Sequence, residues 1–197
     1  MNYLSNSISM RSSRRIDTPN WPKGGELSQN KNYRFRKAGL LDIPLIFDLV
    51  QDGSQIGSFA EKFATSKGWV YLLRMLILDV LAPHRFVVDE GYDIKLLIFT
   101  LNNEDVGFMK IKSQFTDRYI YEINLCAISQ EHRNQKNGSQ MIRMFIEDLP
   151  SGAEIYAYCT KYSRAMQHIF RMLKFQREKK TTKLHAECFY FTKSSNM

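Results

Sequence analysis

Apolar residues recur along this chain with two spacings, and the change from one to the other outlines the architecture. Tyr33 to Lys37 alternates aromatic and basic residues as a strand does, and Leu41, Leu45 and Leu49 with Ile46 and Val50 then supply a helical stripe. The Asp52-Gly53-Ser54 turn is expected to end that helix. A second helical region is predicted from Ser58 to about Leu81, carrying Phe59, Phe63, Leu72, Leu73, Leu76 and Val80, bent at Gly68 and stopped by Pro83. From there the period becomes two. Arg85 to Val88, Ile94 to Leu101, the Asn102-Asn103 turn, Val106 to Lys112 and Tyr119 to Ile128 form a run of antiparallel strands. Met141, Phe145 and Leu149 with Ile142 and Ile146 mark an amphipathic helix, followed by a strand at Glu154 to Cys159, a helix at Ala165 to Leu173 and a last strand at Leu184 to Phe191.

This order predicts one α/β domain with a mixed sheet, antiparallel in its first half and parallel only where a helix intervenes. Residues 1–30, rich in Ser, Asn, Arg and Pro and without apolar periodicity, are expected to be a disordered basic tail, leaving residues 31–197 as the domain.

Composition narrows the function. With 44% hydrophobic and 24% charged residues in 197, the chain can bury a core without staples. The longest apolar stretch, Trp69 to Leu81, is interrupted by Arg74 and Asp79 and falls short of the roughly 18 residues that span a bilayer, so no membrane-spanning segment follows; no membrane partner is expected. Cys126, Cys159 and Cys188 are odd in number and widely spaced. With His84, His132, His168 and His185 scattered, neither a disulfide framework, nor a zinc site, nor a metal hydrolase is expected. The net charge of +8 is uneven: +6 over residues 1–37, −5 over 38–160 and +7 over 161–197. Such ends suit anionic partners, whether a phosphorylated cofactor, nucleic acid or a membrane surface, or simply keep the chain in solution. A cytoplasmic location is the expectation.

The chemistry concentrates where the strand from Glu122 to Ile128 runs through a short turn into the helix after Gly138. Unsatisfied amides at a helix N-terminus, at the positive end of the helix dipole, form an anion site, and Arg133 and Lys136 add charge. In a strand Ile120, Glu122, Asn124, Cys126 and Ile128 share one face, and because an acid, an amide and a thiol are unusual lining for an apolar core that face is expected to meet the substrate cleft.

The segment Arg133-Asn134-Gln135-Lys136-Asn137-Gly138 resembles the acetyl-coenzyme A motif of the GNAT superfamily of N-acetyltransferases, Arg/Gln-x-x-Gly-x-Gly/Ala, with Lys136 where the first Gly belongs. Upstream, Glu122-Ile123 followed by Cys126-Ala127-Ile128-Ser129 resembles the histone acetyltransferase branch. Downstream, Ser163 to Phe175 occupies the place of the family helix Asn-x-x-Ala-x-x-x-Tyr-x-x-x-Gly-Phe, with Phe170 at the Tyr and Lys174 at the Gly position. The resemblance implies an acetyltransferase-like sheet with helices on both faces and acetyl-coenzyme A as acyl donor. It implies pantetheine pairing along Leu125, Cys126, Ala127 and Ile128 near a bulge, and a pyrophosphate on the loop Arg133, Asn134, Gln135, Lys136, Asn137, Gly138 and Ser139. Asn137 and Gly138 are expected to take the left-handed positions in place of Lys136, because a side chain forced to positive φ costs about 1 to 2 kcal/mol.

Amine acylation needs a neutral nucleophile, and Glu122 is the general base the resemblance implies; a structural carboxylate paired across the sheet is the alternative. Phe170 has no proton for the departing thiolate, so Tyr158 and Tyr162 are candidates, with Tyr162 taken into the catalytic pair. The expected acceptor is an amine-bearing small molecule or protein, for which the acids Asp89, Glu90, Asp93, Glu104 and Asp105 would suit a cation. Two alternatives stand beside this reading: a catalytically inactive coenzyme A-binding or protein-interaction module of the same fold, and an enzyme acting on an RNA-bound substrate.

Overall fold

A computed structural model describes residues 31–87, 90–114, 119–181 and 186–194. The expectations for the basic tail and for the start of the last strand at Leu184 lie outside these residues. Among the described residues no helix is long and apolar enough to cross a membrane.

The strands are β1 (Tyr33–Lys37), β2 (His84–Val87), β3 (Glu90–Leu101), β4 (Glu104–Gln114), β5 (Ile120–Ile128), β6 (Glu154–Cys159), β7 (Gln176–Thr181) and β8 (Glu187–Thr192). They form one eight-stranded sheet in the order β1-β3-β4-β5-β6-β8-β7, with β2 pairing β3 beside β1. Every pairing is antiparallel except β5 with β6, where helix α3 (Asn137–Asp148) supplies the crossover a parallel pair requires. The mixed α/β sheet expected from the period change is the one observed.

The helices cover both faces. α1 (Ile43–Gln55) and α2 (Ser66–Leu81) bury Ile46, Leu49, Val50, Leu72 and Leu76 against Leu96, Ile98 and Phe108 of the sheet. α3 and α4 (Arg164–Met172) bury Met141, Ile142, Phe145 and Phe170 against Phe99, Met109, Ile123, Ile155 and Phe189 on the opposite face. Side chains of β3 alternate between the two cores, Leu96 and Ile98 to one and Leu97, Phe99 and Leu101 to the other, as the pleat demands.

Three expectations are corrected. α1 does not stop at Asp52-Gly53-Ser54 but continues to Gln55; Gly53 is there because the Phe59 ring lies against it, with a Cβ placed 2.4 Å from Phe59 Cδ2. The helical region from Ser58 is not one bent helix: a short 3₁₀ turn (Glu61–Ala64) precedes α2, whose N-terminus is capped by Thr65 Oγ1 accepting from the Gly68 amide at 3.1 Å. β7 has no counterpart in the expected element order. Its sequence, Gln-Arg-Glu-Lys-Lys-Thr, has no apolar alternation because it is an edge strand held by its pairing to β8.

A polar link crosses the α1/α2 core. Asp79 of α2 and Lys110 of β4 form an ion pair at 2.5 Å, with side chains 0% and 6% exposed. Asp79 sits on the helix stripe otherwise formed by Leu72 and Leu76, where a carboxylate is tolerated only with partners.

Candidate functional site

Two local departures from regular sheet make the site. The parallel ladder between β5 and β6 ends at Ile123↔Ala157, so the rest of β5 pairs only with β4 and its other edge lies open. The register between β4 and β5 also slips by one residue, from Ile111↔Ile123 to Lys110↔Leu125, leaving Asn124 as the extra residue of a β-bulge. The bulge overturns the expected face. Before it, Tyr121 and Ile123 enter the α3/α4 core and Glu122 faces the α1/α2 side beside Lys112; after it, Leu125 and Ala127 pack on the α1/α2 core, while Cys126 and Ile128 turn to α3/α4. Glu122 and Cys126 therefore lie on opposite faces, because the extra residue resets the period of two.

Glu122 is half-buried and accepts a hydrogen bond from Asn124 Nδ2 at 2.5 Å. Burial raises its pKa above the ordinary carboxylate value, against the opposing charges of Lys112 and Lys110 and the Asn124 bond. Lys112 stands directly across the ladder from Glu122, with its Nζ 4.5 Å from the Tyr92 ring centroid. The cross-strand register then continues to Tyr156 of β6 and Tyr190 of β8, whose rings lie 5.0 Å apart.

Tyr158, two residues along β6 from Tyr156 and therefore on the same face, is 45% exposed. Burial is the first cause that raises its pKa, followed by its neighbours Cys188 and Glu122, so the hydroxyl keeps its proton at neutral pH. Tyr162 lies farther along the chain, at the approach to α4, 59% exposed, with its ring against Gly57: a Cβ there would fall 2.8 Å from Tyr162 Cδ2. The structure thus brings Tyr158 into the electrostatic neighbourhood of Glu122 and seats Tyr162 on the α1–α2 connection. Burial pushes the thiol of Cys126 up to about 12, so it keeps its proton at neutral pH.

Between β5 and α3 the chain makes a 3₁₀ turn (Gln130–His132) and then a tight loop. Arg133 Nε donates to Ile128 O at 3.0 Å, closing the loop onto the strand end, and Gln135 Nε2 donates to Glu131 O at 3.0 Å. Asn134 and Lys136 carry positive φ, 60° and 65°. This reverses the expectation for the loop: Lys136 itself is left-handed, while Asn137 and Gly138 are the first helical residues of α3. Gly138 is small for a different reason, since a Cβ there would sit 3.1 Å from Ile169 Cδ1 of α4. The helix ladder opens with the Gln140 amide donating to Lys136 O at 3.0 Å, so the amides of Asn137, Gly138 and Ser139 stand ahead of it at the positive end of the helix. The Asn137 side chain is buried and turned inward, so this residue offers the loop its amide alone.

The departures in the last helix are also built in. Ser163 Oγ donates to Ser58 O at 2.7 Å and Thr160 Oγ1 to Gly57 O at 2.7 Å, tying the approach to α4 to the α1–α2 connection. Phe170 packs between Phe175 and Phe189, with centroids at 4.7 and 5.5 Å. Lys174 is left-handed with φ 63°. At both positions where a lysine replaces a pattern glycine, 136 and 174, the backbone keeps a positive φ.

No protein-family model and no curated protein sequence matches the chain. Solved structures do. An acetyltransferase from Thermus thermophilus superposes with TM-score 0.61 at 16% identity, over 81% of this chain and 96% of that one. The aminoglycoside acetyltransferase AAC(6')-Ib, in complex with ribostamycin and coenzyme A, gives 0.60 at 14% identity over 81% and 93%. A GNAT-family acetyltransferase from Desulfovibrio desulfuricans gives 0.59 at 14% identity over 81% and 98%. The fold of this chain is the acetyltransferase fold.

Proposed function

We propose that this chain is an acetyl-coenzyme A-dependent N-acetyltransferase in which Glu122 is the general base. The observation that carries the reading is a conjunction at one end of the sheet: an opened parallel pair, a helix N-terminus with free amides beside it, and a half-buried carboxylate at the bulge between them. Residues Leu125 to Ile128 present unpaired strand-edge groups that suit the amides of a pantetheine arm. The amides of Asn137, Gly138 and Ser139, with Lys136 and Arg133 close by, suit a pyrophosphate.

Acetyl-coenzyme A supplies the activated acetyl group as a thioester. The protein's part is proton management and placement. Glu122, its pKa lifted by burial, is a stronger base than an ordinary carboxylate and takes a proton from the acceptor ammonium or amine. Tyr158, which holds its proton at neutral pH and feels the charge of Glu122, is the nearby donor for the departing sulfur, in preference to Tyr162. The acceptor is an amine, on a small molecule or a protein side chain.

Glu122→Gln tests the assignment. It keeps size and hydrogen-bonding capacity but cannot take a proton. Acetyl transfer should fall by about 10² to 10⁴ while coenzyme A affinity stays within a few-fold, and the residual rate should climb with pH as the acceptor amine deprotonates unaided. Undiminished transfer below the amine's pKa overturns the role of Glu122.

A further inference from the structure

The left-handed Lys136 needs a cause. A residue preceding a helix is ordinarily extended, and Lys136 occupies that position with φ 65° and ψ 4° and no side-chain cap. Lys174, the other lysine at a pattern glycine, follows the end of α4, where left-handed residues are common; its amide donates to Arg171 O at 3.0 Å and that of Phe175 to Phe170 O at 2.9 Å. No such helix-end geometry accounts for Lys136.

The next residue supplies the cause. Asn137 is 1% exposed, and both ends of its amide are used. Nδ2 donates to His132 O at 3.0 Å, spanning the loop, and Oδ1 accepts from the Tyr33 hydroxyl at 2.9 Å, across 104 residues of sequence. His132 is itself held, with Nδ1 2.8 Å from Ser129 Oγ. Tyr33 is a rigid anchor: its ring stacks on Phe99 of the core at 5.5 Å, with an interplanar angle of 9°. The turn is therefore closed from His132 to Asn137 and bolted to the first strand of the sheet, and Lys136 is the link left between fixed points.

We propose that Tyr33 and Asn137 are positioning residues that hold Lys136 left-handed, and thereby set the α3 amides for the anion, replacing the conformational freedom of a glycine. This inference rests on the coenzyme A reading above. It follows from the geometry that glycine at 136 would make the clamp dispensable, because glycine enters the left-handed region without penalty.

A double-mutant cycle decides it. Tyr33→Phe removes one hydroxyl and keeps the stack on Phe99. By calorimetry it should weaken coenzyme A binding about 3- to 10-fold, the worth of one hydrogen bond. In the Lys136→Gly background the same change should cost less than about 2-fold, and Asn137→Ala should follow the same pattern. A role in general stability would lower affinity equally in both backgrounds and would overturn the proposal, as would unchanged affinity for Tyr33→Phe. Amide resonances recorded without ligand give an independent reading: those of Lys136, Gly138 and Ser139 should shift in Tyr33→Phe while signals from α1 and α2 hold. If the native chain fails to bind coenzyme A, the functional reading falls, and these resonances alone decide whether the clamp exists; no movement refutes it.

Discussion

The Asp79–Lys110 pair links α2 to the central strand that neighbours β5, and Lys110 is one of the charges acting on Glu122. With side chains 0% and 6% exposed, neither charge can recover its solvation if the other is removed. Removing one member of a buried pair costs about 3–5 kcal/mol, whereas replacing both by apolar groups of similar volume is close to neutral. For a domain of this size each kcal/mol moves Tm by about 2–4 °C, so Asp79→Asn should lower Tm by roughly 6–20 °C. Asp79→Leu and Lys110→Met should each do the same, and the two combined should lose far less than the sum of these two single losses. Circular dichroism melts of these variants and the native protein, at one salt concentration, provide the comparison. A loss below about 2 °C in Asp79→Asn, or strict additivity, would refute the reasoning that this pair is desolvated and mutually dependent. Because Lys110 lowers the pKa of Glu122, any folded Lys110→Met protein should also show the acid limb of its rate profile displaced to higher pH.

Further outcomes follow from the same geometry. Asp148, the last residue of α3, has its pKa pushed up to about 6 by burial and by Glu147, against the opposing charge of Lys193. A folded-state value above the ordinary carboxylate value means that its contribution to stability is full below about 3.9 and lost as pH rises through about 6. Asp148→Asn should therefore raise Tm at pH 7.5 and leave it unchanged near pH 4; an equal shift at both would contradict the assignment. Gly138→Val should destabilise by about 1–3 kcal/mol and weaken coenzyme A binding, because its side chain meets Ile169 of α4, while Gly138→Ala should be milder; denaturant melts with calorimetry check both. Tyr158→Phe should lower acetyl transfer about 10-fold or more at saturating donor, whereas Tyr162→Phe should stay within about 2-fold; the reverse order in a steady-state assay would return the proton donor to Tyr162.

Two lysines in left-handed backbone show how a degraded motif is accommodated. Each costs about 1 to 2 kcal/mol relative to glycine. Lys174 sits among helix-end hydrogen bonds, and Lys136 precedes Asn137, whose side chain bonds the Tyr33 hydroxyl of β1 and the His132 carbonyl of the loop. Ser163, where the resembled pattern has Asn, donates to Ser58 O and ties the approach to α4 to the α1–α2 connection.

What the sequence determined alone follows from local periodicity. Spacings of two and of three to four residues located seven of the eight strands and the helical regions, and the run from Glu122 to Ser139 marked the succession of a strand, a loop and a helix N-terminus. β7 escaped because Gln-Arg-Glu-Lys-Lys-Thr carries no apolar residue with which to write a period. The face of Glu122 was decided only by tertiary structure: a bulge at Asn124 arises from how β5 meets β4, and one extra residue exchanges the two faces of everything beyond it. Asp79 left a trace in the sequence, a carboxylate on an apolar helix stripe, but its partner lies on another element. Tyr33 left none. Its hydroxyl matters because the sheet brings the first strand against a loop 104 residues away, and no local pattern encodes a contact made by chain segments that meet only when the fold closes.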